Sequence, residues 1–315
     1  MKLTQSQIDA VIAAAKKLSV DAVSTTVESF YGTTLGLNGI ELAALFPNPD
    51  PLGSAATAVS HLTHAREEIL RDNCDIPSFV IYAGPSNVNI VGLCEYYRSV
   101  KPKSSGYPPD YISRLAQYAS IRDELRAIDK GHKLEALSAA LLSLVCSYGE
   151  STRGSGDQGI DAIGTNHLIR IDSVFLDGEL DDSKIMPGQK VIVLASSKAG
   201  LSQRGAETKL INPAHIRELV GGWLIQRSEA SMWRNLGIQM LTPLQLVLVT
   251  TYRLSAESKS ECNKLGVQVW GVPELIFLIC CYAPPSVFSA AGTFSVAEFR
   301  NWWEAKNATR VYSAA

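Results

Sequence analysis

Three short, almost wholly apolar segments constrain this chain more than any other feature. They are Lys190-Val-Ile-Val-Leu-Ala195, Leu246-Val-Leu-Val-Thr-Thr251 and Val267-Gln-Val-Trp270. A strand open to water on one face alternates apolar and polar residues, whereas a strand that is apolar throughout is covered on both faces. Between these segments the periodicity changes to that of helices. Asn212-Pro213 places a capping side chain before a proline at the first helical position, and residues 255–265 and 273–281 read as two further helices. Buried strand, helix, buried strand is the pattern of a parallel crossover in an α/β sheet.

Upstream, residues 132–147 form a helix that is apolar nearly all round, followed by a glycine-rich stretch, Gly149 to Gly159. Short strands are expected around 160–163 and 167–176, then an acidic loop at 177–182. The first hundred residues read differently. Thr4 with Gln7 three residues on is a capping-box pattern, and Ile8, Val11, Ile12 and Ala15 recur on one face. Residues 35–46 and 55–70 continue as helices, while Ser78-Phe-Val-Ile-Tyr-Ala83 fits a buried strand or a short helix. Residues 110–128 read as one helix with Asp110 at its N-cap. Lys101-Pro-Lys-Ser-Ser-Gly-Tyr-Pro-Pro109 reads as a linker. The expected organisation is a mainly helical N-terminal module over 1–109, an α/β domain over 110–285 and a helical tail over 286–315.

Composition narrows the function classes. Net charge is −2, so there is no basic arm, and any cationic groups that meet a polyanion are confined to one cleft. The six cysteines show no CxxC pair and lie mostly among apolar neighbours, as core thiols of a reducing compartment do. The N-terminus lacks the apolar run of a signal peptide, and the most apolar stretch, residues 275–283, is too short to span a bilayer. A cytoplasmic protein with no membrane partner is expected.

Three charged residues stand in places where charge is expensive unless it is paired or bound to metal. Asp161 follows a glycine turn and lies between Ile160 and Ile163. Lys198 ends an apolar strand. Glu135 interrupts an apolar helix. A carboxylate on one strand and a lysine on its neighbour are the parts needed to hydrolyse a phosphodiester with a hard cation, which takes oxygen ligands.

In this order, Gly131-His-Lys-Leu-Glu135, Gly149, Gly154-Ser-Gly-Asp157-Gln-Gly159-Ile-Asp161 and a strand ending in Lys198 resemble the catalytic domain of Mrr-type restriction endonucleases, within the PD-(D/E)xK superfamily. The likeness continues through Asn212-Pro-Ala-His-Ile-Arg-Glu-Leu-Val-Gly221 and the later strand–helix–strand, covering roughly residues 129–282. It implies a restriction-endonuclease-like mixed sheet flanked by helices and a Mg²⁺- or Mn²⁺-dependent endonuclease acting on DNA in restriction or anti-phage defence. Asp161 would hold metal, Lys198 would be the catalytic lysine, and Glu135 or Asp157 would assist. Here the family carries Glu or Gln two residues before its lysine, and this chain has Ser196, a neutral hydroxyl where a metal ligand is expected.

Alternatives stand beside each role. Glu135 also suits an ion pair with Lys133, and Asp157 also suits side chain–backbone bonds in the glycine turn. The glycines precede a strand, with no following Lys-Ser/Thr, so a nucleotide-binding loop is not supported. Arg204, Lys209 and Arg217 follow the catalytic strand and could line a DNA-binding face. His132, His167 and His215 have no partners at ligand spacing and read as surface residues. Trp302-Trp303 suits packing or base stacking. An RNase using the same site and a nuclease-fold binding module that cleaves nothing are the rival readings, and either leaves room for a homo-oligomer or a defence-system partner protein.

Overall fold

The computed structural model describes residues 2–47, 51–71, 75–100, 110–128, 131–146, 148–152, 160–165, 192–198, 210–228, 244–308 and 310–311. The expected linker at 101–109, the glycine turn at 153–159 and the segments at 167–176 and 177–182 lie outside them. The chain separates into two compact units, Met1–Ser105 and Gly106–Ala315.

In the first unit, α1 (Gln5–Lys16) opens with the expected reciprocal cap. Thr4 Oγ1 accepts from the Gln7 N–H at 3.3 Å, and Gln7 Oε1 accepts from the Thr4 N–H at 2.9 Å. Then come β1 (Thr25–Thr26), α2 (Val27–Leu35), α3 (Gly39–Leu45) and α4 (Pro51–Arg71). Gly36 ends α2 at φ 64°, a left-handed conformation that suits glycine. The segment that fitted either strand or helix is a strand, β2 (Phe79–Ala83), paired antiparallel with β3 (Val88–Gly92) in the order β1-β3-β2. Pairing decides it: Phe79 and Ile81 alternate into the core around Tyr31, Leu62 and Ile90, so a period of two buries what a helix would spread around its surface. A single turn, α5 (Leu93–Glu95), follows.

The second unit begins with α6 (Tyr111–Leu115) and α7 (Tyr118–Arg126), where one helix is expected. Asp110 is the N-cap of α6, as expected, but its backbone lies in the helical region, at ψ −1°, and its side chain makes no capping hydrogen bond. The break follows from three-residue closures. The Ala116 N–H donates to both Ile112 O and Arg114 O, and the Gln117 N–H donates to Arg114 O, which tightens the turn out of α-helical register. Tyr111, Leu115, Ile121 and Leu125 are thereby all buried.

Next come α8 (Gly131–Val145), β4 (Tyr148–Thr152), β5 (Ala162–Thr165), β6 (Ile192–Lys198), α9 (Pro213–Ser228), β7 (Leu244–Thr250), α10 (Ala256–Leu265), β8 (Gln268–Trp270), α11 (Val272–Tyr282), α12 (Val296–Glu304) and β9 (Arg310–Val311). The strands form one mixed six-stranded sheet, β8-β7-β6-β5-β4-β9. β6, β7 and β8 run parallel, β5 is antiparallel to both its neighbours, and β9 is parallel to β4. This is a mixed sheet flanked by helices. The tail adds more than a helix. Besides α12 it supplies the edge strand β9, and Phe299 and Trp303 are buried. The Phe299 and Trp302 ring centres lie 6.0 Å apart, so these aromatics pack with one another.

Alternation along β6 separates its two faces. Ile192 and Leu194 join Ile216 and Leu219 of α9 and Cys262 of α10 in one core cluster. The opposite face lies under α8, which approaches so closely that a Cβ on Gly149 would stand 2.3 Å from both Ala139 O and Ser143 N. Burial raises the thiols of Cys94 and Cys146 to about 12 and that of Cys262 to about 11, so they remain protonated core groups. Among the described residues no helix is long and apolar enough to cross a membrane.

Candidate active site

The site forms where β5 begins and β6 ends. The ladder pairs Ala162 with Ala195, yet the Ala195 carbonyl accepts from the Asp161 N–H at 2.8 Å. Two residues of one strand therefore oppose one of the other. This is a bulge, a feature that re-aims a side chain. The bulge turns the Asp161 carboxylate onto β6, where Oδ2 accepts from the Ser197 N–H at 2.5 Å and from Ser196 Oγ at 3.3 Å. From the other side β4 holds the same backbone: Thr152 N–H donates to Asp161 O at 3.0 Å, and Thr152 Oγ1 donates to Ile160 O at 2.5 Å. A carboxylate accepting a backbone N–H is bound by a charge-assisted bond, stronger than a neutral one.

Ser196 is buried and shares its face with Lys198, two residues on. Lys198 reaches from the strand end to α9, with Nζ 3.4 Å from Glu218 Oε2. The same oxygen is 3.6 Å from His215 Nδ1, one turn earlier on the helix. Local sequence sets this up. Asn212 Oδ1 accepts from the Ala214 N–H at 3.0 Å, Pro213 opens the helix, and Ile216 and Leu219 bury against β6. That rotation leaves His215 and Glu218 on the flank nearest Lys198.

Ser197 points the other way. Ser138 Oγ on α8 donates to Leu134 O at 2.7 Å, which leaves the Ser197 hydroxyl to donate to Ser138 Oγ at 2.8 Å. Glu135 lies half-buried on α8, three residues before Ser138, and so belongs to the helix covering the Ser197 face. Arg217 is exposed on α9 and bonds Glu261 through Nε at 2.9 Å and Nη2 at 3.4 Å. Those bonds and the Glu261 charge raise the pKa of its guanidinium. Asp157, Arg204 and Lys209 lie outside the described residues.

Of the expected set, the fold puts Asp161 in contact with Ser196 and leaves Lys198 on the same face of β6, two residues on. It adds Glu218, which sequence reading missed, and gives His215 a partner. The local signal for both was the spacing His215-Ile-Arg-Glu218, which places two polar side chains on one helix flank. Asp161 and Ser196 each offer an oxygen, the chemistry a hard divalent cation takes. Mg²⁺ is commonly held by only one or two carboxylates plus waters and substrate. Among the described residues there is no group of three or more His, Cys, Asp or Glu able to hold a metal, so a cation here would be held by such a sparse set.

No family model matches the sequence, and no curated protein matches it either. Among solved structures, the MspJI restriction endonuclease in complex with a 27-mer oligonucleotide is similar at a TM-score of 0.38 and 17% identity, over 67% of this chain and 40% of that one. The DNA modification-dependent restriction endonuclease AspBHI is similar at 0.33 and 13% identity, over 73% and 60%. Restriction endonuclease FokI is similar at 0.35 and 11% identity, over 96% and 48%. The chain spans between 40% and 60% of the length of these structures. Likeness at such scores carries no weight for the site, which stands on the contacts above.

Proposed function

We propose that the second unit is a divalent-metal-dependent endonuclease that hydrolyses DNA phosphodiesters. The observation that supports this best is the bulge that turns the Asp161 carboxylate onto β6 beside Ser196, two residues from Lys198 and on the same face of the sheet. When bound, Mg²⁺ or Mn²⁺ would supply Lewis acidity to a phosphoryl oxygen and lower the pKa of a water. The chain's own residues do the rest. Asp161 offers a negative oxygen, and Ser196 offers a hydroxyl oxygen beside it. The Lys198 ammonium, held at the strand end, stabilises the negative charge that develops as water forms its bond to phosphorus and the bond to the departing sugar oxygen breaks. The Mrr-type resemblance adds the setting, restriction or anti-phage defence.

Cleavage of supercoiled plasmid and of single-stranded RNA, with Mg²⁺ or Mn²⁺ and with chelator, tests the reading on wild type and Asp161→Ala. Metal-dependent nicking of plasmid by wild type alone is expected. Equal cleavage by Asp161→Ala removes that residue from the site. Cleavage of RNA alone reassigns the substrate, and DNA binding without cleavage by wild type makes the unit a binding module.

A further inference from the structure

The first unit holds a cavity of about 340 Å³ lined by residues of α1, α2, α3 and α4, inside the range of about 300–1,000 Å³ that small-molecule sites occupy. Its wall is mostly apolar, from Leu3, Ile8, Leu45 and Phe46, with Phe46 set edge to face on the Tyr31 ring at 5.7 Å between centres. One imidazole, His61, lines this cavity and also the wider groove between α1 and α4. We propose that the cavity binds a neutral, planar aromatic molecule carrying one N–H or O–H group, and that His61 Nε2 accepts that hydrogen. The inference stands apart from the reading of the second unit.

The hydrogen bonds of Tyr31 fix which ring nitrogen is free. Tyr31 is fully buried, and burial raises the pKa of its hydroxyl, which therefore keeps its proton. That proton goes to Ala58 O at 3.1 Å. The 3.2 Å contact between the same hydroxyl oxygen and His61 Nδ1 is then filled by the ring N–H, donated to Tyr31. Burial and the neighbouring His64 lower the pKa of His61, so the ring is neutral and carries a single N–H. Nε2 is left with a lone pair, and it has no partner among the described residues. An acceptor fixed in direction by a core tyrosine is ordered before any ligand arrives, which reduces the freedom lost on binding. Charge selects further. An anion would set negative oxygen against that lone pair, and a cation would meet Lys2, the one charged residue described in the lining. The edge-to-face pair of Tyr31 and Phe46 offers aromatic surface on which a flat ring packs.

The test is ligand-observed NMR titration of the full chain with three probes. They are indole, indene (nearly the same shape without the N–H) and indole-3-acetate as the anion. Wild type should bind indole about three- to tenfold more tightly than indene, the return expected from one hydrogen bond. This comparison needs no variant. Indole affinity should fall by a similar factor in His61→Phe, and also in Tyr31→Phe, where the ring is free to take either tautomer. It should stay within about twofold in His64→Phe, whose position lines the groove and not the cavity. Circular dichroism checks that each variant folds. No binding of indole by wild type, equal binding of indene, or tighter binding of indole-3-acetate overturns the proposal. So does undiminished indole binding by His61→Phe or Tyr31→Phe, or an equal loss in His64→Phe.

Discussion

Two adjacent serines on β6 face two different environments. Ser197 meets Ser138 beneath α8, where the buried Ser138 hydroxyl donates to Leu134 O and accepts from Ser197. Ser196, one residue earlier and on the opposite face, meets the Asp161 carboxylate, and Lys198 on the same face meets Glu218. The α8 side is closed by backbone contact at Gly149, with no room for a methyl group. On the α9 side the strand end opens to exposed charged residues, among them Glu218 and Arg217. A sheet buried on both faces thus divides its work: one face is packed for stability, and the other gathers charge at its end. Charge is tolerated there because solvent is near and each ionised group has a partner.

The largest effect expected separates the two faces outright. Asp161→Asn keeps the shape of the side chain and an acceptor oxygen for the Ser197 N–H but removes the negative charge. Plasmid cleavage should fall at least about 100-fold, while the unfolding free energy from urea titration moves by less than about 1 kcal/mol. A large loss of stability would make Asp161 a structural residue and erase the distinction.

On the packed face the outcome should reverse. Gly149→Ala drives a Cβ into the α8 backbone at Ala139 and Ser143, and overpacking of this kind costs about 1–3 kcal/mol or more. Cleavage per folded molecule should stay near wild type. A stable Gly149→Ala protein would mean that α8 can back away and that the face is not closed.

Smaller and more diagnostic is the serine pair. Because Ser138 donates to Leu134 O, it keeps that bond in Ser197→Ala, so that variant should lose only about 0.5–1.5 kcal/mol. Ser138→Ala leaves the buried Ser197 hydroxyl without its acceptor and should lose more, about 1–3 kcal/mol. Equal losses, read from the same urea titration, would contradict the assigned direction of the bond.

The smallest effect is at the open rim. Arg217→Gln breaks an exposed pair with Glu261 and should leave the melting temperature where it is. If Arg217 meets phosphate, the slope of log affinity for a DNA duplex against log salt should fall by about one. An unchanged slope would confine Arg217 to its pair with Glu261.

Much of this was legible in the chain itself. The apolar runs of β6, β7 and β8, the Asn212-Pro213 start of α9 and the helical pattern of α10 are local signals, written within a few residues of where they act. Asp161 stood out between apolar residues and Lys198 at the end of an apolar strand, and strand parity put Ser196 with Lys198 and Ser197 opposite. Glu218 did not stand out. It is an ordinary exposed helix residue, and its 3.4 Å approach to Lys198 depends on how α9 is rotated against the sheet.

What the sequence by itself determined was therefore the order and kind of most elements and the identity of two charged residues that the fold must accommodate, because period, caps and buried charge are local properties. Tertiary structure decided the rest. The bulge at Asp161 arises from hydrogen bonds to two neighbouring strands, one of them more than thirty residues away in sequence. The break between α6 and α7 arises where short closures let four side chains bury, and β9 joins the sheet only because β4 leaves an edge for it. The meeting of Glu218 with Lys198 likewise depends on Ile216 and Leu219 finding the β6 face. The bulge, the β9 pairing and the meeting of Glu218 with Lys198 are contacts between residues distant in sequence, and no short window contains both partners.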